Sequence, residues 1–297
     1  MPTKLQKPLS RNPVSANLPY AVIEEQEADG AGGSADVTTI FLTASECPIG
    51  CHMCDLWQNT LPHATPPGAI GTQIATALLQ RSGTAKPGWI KLYNSGNFFD
   101  PRSIPERDYA EIAAHCQPFL RVIVENHPRF GADRLKRFRD SIDAPLEVAV
   151  GLETVQPRWL GRLGKQMSRG DFDRYAAWLR RQRVDLRAFI IVGVPGISAG
   201  EAIRWARLSV RHACQSGARH ISLIPARRGH GWRGLAAELP ELTLADLVQL
   251  QLQALDDVNK AAVVTVDAWN LDSQATSTQD RQFVSAIKQT NLSQLPA

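Results

Sequence analysis

The sequence predicts an α/β fold: parallel strands line an incomplete (βα)6 barrel of TIM type, with helices outside. Three observations lead there. Short apolar, β-branched stretches alternate with amphipathic stretches from residue 37 to about residue 270, the rhythm of successive βα units. The strand stretches are nearly continuous apolar runs, as expected of strands covered on both faces. Six units precede the last strand-like stretch, too few for a closed eight-stranded barrel, so they suit an open three-quarter barrel or a doubly wound sheet. On this division residues 1–36 are a partly flexible N-terminal extension, 37–270 the core domain and 271–297 a C-terminal tail.

In chain order, "YAVIEEQ" is the only strand-like stretch of the extension, and "ADGAGGSAD" after it reads as a flexible link. "VTTIFLTA" is the first core strand, followed by a helix near 69–82 and a second strand, "GWIKLYNSG". "PERDYAEIAAHC" is amphipathic and starts just after Pro105, a favoured place for proline. "LRVIVEN" is the third strand, "ADRLKRFRDSI" a helix and "PLEVAVGLE" the fourth strand. "RGDFDRYAAWLRRQR" then forms a helix, "LRAFIIVGVPG" the fifth strand, "AGEAIRWARLSVRHACQSG" a long helix and "ARHISLIP" the sixth strand. The helix "TLADLVQLQLQALDDVNKA" precedes "AVVTVDAWN", and the tail holds one short helix that then frays.

The 297 residues are 43% hydrophobic and 21% charged, enough apolar material for a sizeable core. No run is long and apolar enough for a membrane span, and the N-terminus shows no secretory pattern. A cytoplasmic protein is expected, without a membrane partner. The net charge of +4 permits an anionic partner without requiring one.

In both candidate architectures the active site lies at the carboxyl ends of the strands. The unusual polar segments all fall there: the cysteines after strand one, "NSGN" after strand two, "ENHP" after three, "GLET" after four, "GVPG" after five and "PARRGHGWRG" after six. Three of the five cysteines, Cys47, Cys51 and Cys54, crowd into "CPIGCHMC" with no fourth nearby. Zinc would want a fourth ligand, and His52 is poorly placed between two others. A thioredoxin-like pair would leave Cys47 unused. Three thiolates instead suit a 4Fe-4S cluster with one iron open to a small molecule. Cys116 and Cys214 sit in helical patterns and read as packing.

This spacing, on the loop after the first strand, resembles the signature of the radical S-adenosylmethionine (radical SAM) superfamily; the likeness covers about residues 37–270. It implies one 4Fe-4S cluster on Cys47, Cys51 and Cys54, with S-adenosylmethionine (SAM) completing the open iron. A one-electron reductant such as a flavodoxin or ferredoxin would feed the cluster. Met53 stands where an aromatic residue is common. The turn Ser95, Gly96, Asn97 takes the place of a Gly-Gly-Glu-like turn that meets the SAM amino group, with Asn97 replacing the acid. Glu153 is similar to a residue that bonds the SAM ribose, Lys165 to a cation near its carboxylate, and Gly193 lies in a turn like those that cradle adenine.

Catalytic residues toward the substrate are not identified by the sequence. Glu125, Asn126 and His127 end strand three at the cavity mouth, as candidate SAM or substrate contacts or as caps of the following helix; Asn126 and His127 are the candidates toward the substrate. Arg227, Arg228 and Trp232, with His230 and Arg233, form a basic loop suited to an anionic or nucleobase substrate. Asp267 and Trp269 could line the same side. "KLYNSGNFFD" and "VENHP" look most like archaeosine-type tRNA-modifying radical SAM proteins and their bacterial relatives. The substrate is thus left between a tRNA nucleoside and a small metabolite, and a non-catalytic iron–sulfur electron-transfer or regulatory protein ranks below both.

Overall fold

The computed structural model describes residues 10–81, 88–226 and 239–296. Strands β1 (Ala21–Ala28) and β2 (Ser34–Phe41) form an antiparallel hairpin. Its turn is closed by Asp29, whose Oδ1 accepts from the N–H groups of Ala31 (2.6 Å) and Gly33 (2.9 Å). This Asx-type closure turns the expected flexible link into a tight hairpin and extends the strand back to Ser34.

Strands β3 (Trp89–Tyr93), β4 (Arg121–Glu125), β5 (Leu146–Glu153), β6 (Asp185–Val192), β7 (Ala218–Pro225) and β8 (Val263–Val266) follow. The sheet runs in the order β1 to β8, and every pair after the hairpin is parallel. Seven parallel strands joined by six crossovers make the incomplete TIM-type barrel that the sequence predicts. Helices α1 (Ala69–Leu79), α2 (Tyr109–Cys116), α3 (Ala132–Asp140), α4 (Pro157–Arg162), α5 (Arg169–Arg181), α6 (Ala199–Gln215), α7 (Leu244–Val258), α8 (Leu271–Gln274) and α9 (Thr278–Ser293) complete the described elements. The six-residue α4, opened by Pro157, was not anticipated: it is too short to show a helical period.

Alternate strand residues face opposite sides. Ile40, Leu42, Ile90, Leu92, Val122, Val124, Val148, Val150, Ala188 and Ile190 pack outward with helix residues such as Ile74, Ile112, Phe138, Phe172 and Val210. The other set faces the lumen and carries charged residues among its apolar and aromatic ones, which corrects the reading of continuous hydrophobic strands. Arg187 reaches Glu147 (2.6 Å) and Glu27 (2.8 Å), and Lys91 reaches Glu27 (2.5 Å) and Glu25 (2.8 Å). Arg219 joins Glu147 at 2.7 Å, while Arg121 bridges Glu147 and Asp185. The cations Lys91, Arg121, Arg187 and Arg219 thereby balance the carboxylates Glu25, Glu27, Glu147 and Asp185, as buried charge requires. Trp89 closes the floor, with the guanidinium groups of Arg121 and Arg219 at 5.3 and 4.9 Å from its ring. Two of the four carboxylates come from β1, so the hairpin completes the lumen electrostatically.

The last helix also differs from expectation. α9 is 16 residues long, opened by a capping box between Ser277 and Asp280, and it buries Val284 and Ile287. Its Asn291 side chain pairs with Val266 N–H (2.9 Å) and C=O (2.8 Å); Gln294 does the same for Val264 (2.7 and 3.1 Å). The tail therefore docks because its side-chain amides satisfy the open edge of β8. No helix among the described residues is long and apolar enough to cross a membrane.

Candidate active site

The loop after β2 carries Cys47, Cys51 and Cys54, all free thiols and all half-buried. Hydrogen bonds and one packing contact hold it. Gln166 Nε2 donates to Ile49 O (2.9 Å), His52 N–H donates to Leu163 O (2.8 Å), and His52 Nδ1 meets Arg162 O at 2.8 Å. Met53 packs on Trp159, Leu163 and Val194. From the N-terminal side, Arg11 donates to Trp57 O (3.1 Å) and Thr60 O (2.8 Å), and Asn12 N–H donates to Gln58 O (2.8 Å). The unanticipated α4 and the segment before β1 thus clamp the loop from two sides.

Burial pushes all three thiols up, Cys54 to about 12, while the Lys165 ammonium pulls Cys47 and Cys51 back down. The three sulfurs are near enough to act on one another electrostatically. Among the described residues no three His, Cys, Asp or Glu side chains are gathered at metal-holding spacing. As a donor set, three neighbouring thiols beside a buried ammonium fit an iron–sulfur cluster, whose binding would release their protons.

The Asn94–Asn97 turn lies beside Cys47. Asn97 Nδ2 donates to Cys47 Sγ (3.1 Å), and its Oδ1 accepts from His127 N–H (2.8 Å). A side chain on Gly96 would sit 3.5 Å from Cys47 Cβ, in ordinary contact. Ser95 takes a left-handed φ of 55° and shares a 2.8 Å hydrogen bond with Tyr20. Beneath the turn, Glu125 accepts from Gly96 N–H at 3.1 Å. Glu125, expected only as one of three possible cofactor or substrate contacts at the end of this strand, is thus tied to the turn that lies beside Cys47.

Glu153 ends β5 at φ 61° after a register shift, and its Oε1 takes Lys165 Nζ at 2.6 Å. The pair lies over Gly151, where a Cβ would come within 2.2 Å of Glu153 Oε1 and 2.4 Å of Lys165 Nζ. Gly151 therefore reserves the space that the ion pair fills. His127 accepts from Arg129 N–H at Nδ1 (3.2 Å), which leaves Nε2–H to donate to Lys165 O (3.0 Å). Burial and the Lys165 charge hold this imidazole neutral, its pKa lowered to about 4. Asn126 is turned to the protein: Phe99 N–H donates to its Oδ1, and its Nδ2 reaches Phe130 O and Tyr175 Oη. Gly193, at φ 102°, packs against Pro240 and Leu242. The structure thus brings together the cysteines, Ser95 to Asn97, His127, Glu153 and Lys165. Arg227, Arg228 and Trp232, with His230 and Arg233, lie outside the described residues.

Lower in the lumen, Tyr93 and Phe189 touch edge to face at 6.1 Å although two strands separate β3 from β6. Phe41 meets Tyr93 at 6.1 Å and the half-exposed Trp269 at 6.3 Å. Phe41, Tyr93, Phe189 and Trp269 thus form one chain of ring contacts.

This half-barrel, with its thiols on the carboxyl rim, is an architecture found among solved enzymes. Methylornithine synthase (PylB) matches with a TM-score of 0.56 and 14% identity over 82% of this chain and 67% of that one. SuiB from Streptococcus suis, solved with S-adenosylmethionine bound, matches with a TM-score of 0.50 and 10% identity over 75% of this chain. The match spans 48% of SuiB, about half its length. No protein-family model matches the chain, and no curated protein matches it by sequence.

Proposed function

We propose that the chain is a radical SAM enzyme. The observation that carries this reading is the set of three free thiols on one loop, at the carboxyl rim of a parallel half-barrel, with the other cysteines away on α2 and α6. On this reading Cys47, Cys51 and Cys54 hold a 4Fe-4S cluster whose open iron takes SAM. Held by these three cysteines and reduced by a flavodoxin or ferredoxin, such a cluster would supply the electron for reductive cleavage of SAM to methionine and a 5′-deoxyadenosyl radical, which would abstract hydrogen from the substrate. The chain's own residues hold and orient. The Asn97 amide steadies the Cys47 sulfur and the Lys165 ammonium offsets thiolate charge. Glu153 offers its carboxylate to the ribose, Lys165 its ammonium to the SAM carboxylate, and the Gly193 turn a seat for adenine.

The test is anaerobic reconstitution. About four irons per chain are expected, with an electron-paramagnetic-resonance signal that SAM perturbs. One tightly held zinc and no iron would end the reading. Iron without any deoxyadenosine formation would favour an electron-transfer or regulatory protein.

For the substrate we place a tRNA nucleoside first and a small metabolite second. The chain of ring contacts through Phe41, Tyr93, Phe189 and Trp269 supports this order, since it offers ring faces to a planar base. The likeness of "KLYNSGNFFD" and "VENHP" to archaeosine-type proteins and the basic residues Arg227 and Arg228 support it as well. Bulk tRNA should bind with a steep salt dependence, each lost phosphate contact flattening the log–log slope by about one. No binding at low salt would leave the small-metabolite reading.

A further inference from the structure

SAM carries an amino group that is positively polarised when it sits on a metal, and such a group taken out of water needs a carboxylate or several carbonyls around it. This inference rests on the proposed function and concerns which residue meets that group. Asn97, expected to do so, has both ends engaged, by Cys47 Sγ and by His127 N–H. Glu153 is taken by Lys165. Glu125 is placed differently. It ends β4 on the lumen face beside the small Ala149, and its Oε1 accepts from Gly96 N–H at 3.1 Å. The residue is half-buried rather than sealed. Among the described residues it has no salt-bridge partner; Lys165 acts on it only through space.

We infer that Glu125, held by the Gly96 amide of the Asn94–Asn97 turn, is the carboxylate that receives the amino group of SAM in this protein. The acid that the turn lacks at position 97 is thereby supplied from the end of the next strand. Burial raises this carboxyl to about 7.

The experiment is equilibrium dialysis of the cluster-loaded protein with two probes, SAM and 5′-methylthioadenosine, which keeps the nucleoside but has no amino-acid head. Glu125→Gln retains an oxygen for the Gly96 amide and removes the charge. It should weaken SAM binding about 10- to 100-fold while leaving methylthioadenosine binding within about twofold. Glu125→Asp, which keeps the charge, should recover part of the preference for SAM. Glutamine binding SAM as well as wild type does would overturn the inference, leaving Glu125 as a prop for the turn. Equal weakening of both probes would overturn it too, as collapse of the turn. If iron-loaded wild type binds neither probe, the radical SAM reading fails first and this inference falls with it.

Discussion

At the residue scale, the site is built from pairs whose members come from different loops. Glu153 and Lys165 are twelve positions apart in sequence and 2.6 Å apart in space. Glu153→Ala should weaken SAM binding by about 1–3 kcal/mol, the cost of a lost buried hydrogen-bond partner, and dialysis of the cluster-loaded variant would check it. Gly151→Ala is a subtler probe. Its Cβ would displace the flexible ends of both partners rather than backbone, so SAM affinity should fall while the melting temperature changes by no more than a few degrees. Cys116 packs in the main core and Cys214 at its edge, so Ala at either position should leave the iron content of the reconstituted protein unchanged. The grouping of the three loop cysteines was legible because their spacing is local. The Asn97–Cys47 bond was not, because residues fifty positions apart meet only after β2 and β3 pair.

At the element scale, the two sheet edges are protected by different means. β1 covers one edge and places Glu25 and Glu27 against the lumen cations. Arg187→Met would leave Glu27 and Glu147 without their shared partner and should cost about 3–5 kcal/mol, read from urea midpoints. α9 covers the other edge through Asn291 and Gln294. Truncation after residue 276 should expose the β8 edge and produce concentration-dependent association in size-exclusion chromatography; a monomeric truncation would show that the edge needs no cover. The helical pattern of the tail was readable, but not its docking. Asn and Gln do not announce that they will pair with a strand.

At the scale of the whole molecule, buried titrating groups set how stability follows pH. His127 and His220 are held near 4 and 3 by burial and neighbouring cations, below the ordinary 6.5. Glu125 is raised from 4.5 to about 7. Between pH 4.5 and 6.5 the unfolded chain protonates both imidazoles, whereas the fold keeps them neutral and retains the Glu125 proton. The unfolded state then binds about one proton more, so stability should rise with pH at about 1.4 kcal/mol per unit. Below pH 4.5 the depressed Glu147 carboxyl, near 2, adds to the acid loss, because its pairing stabilises only the ionised form. Urea midpoints at three pH values would check this, and a flat profile would refute it. Glu125→Gln removes the opposing proton and should steepen the slope to about two protons.

By itself, the sequence determined the succession of strands and helices, the parallel sheet and the rim on which Cys47, Cys51 and Cys54 stand. Those features rest on local periodicity, on turn chemistry and on the rule that βα loops gather at one end of a parallel sheet. Tertiary structure decided the rest: the ionic floor around Arg187, the clamp of α4 on the cysteine loop, the α9 cap on β8 and the seat of Glu125 beneath the Asn94–Asn97 turn. Each of these joins residues from separate units. An isolated Arg, Glu or Asn in a strand carries no mark of its partner, because the partner is chosen by register and curvature, which exist only once the sheet has closed around them.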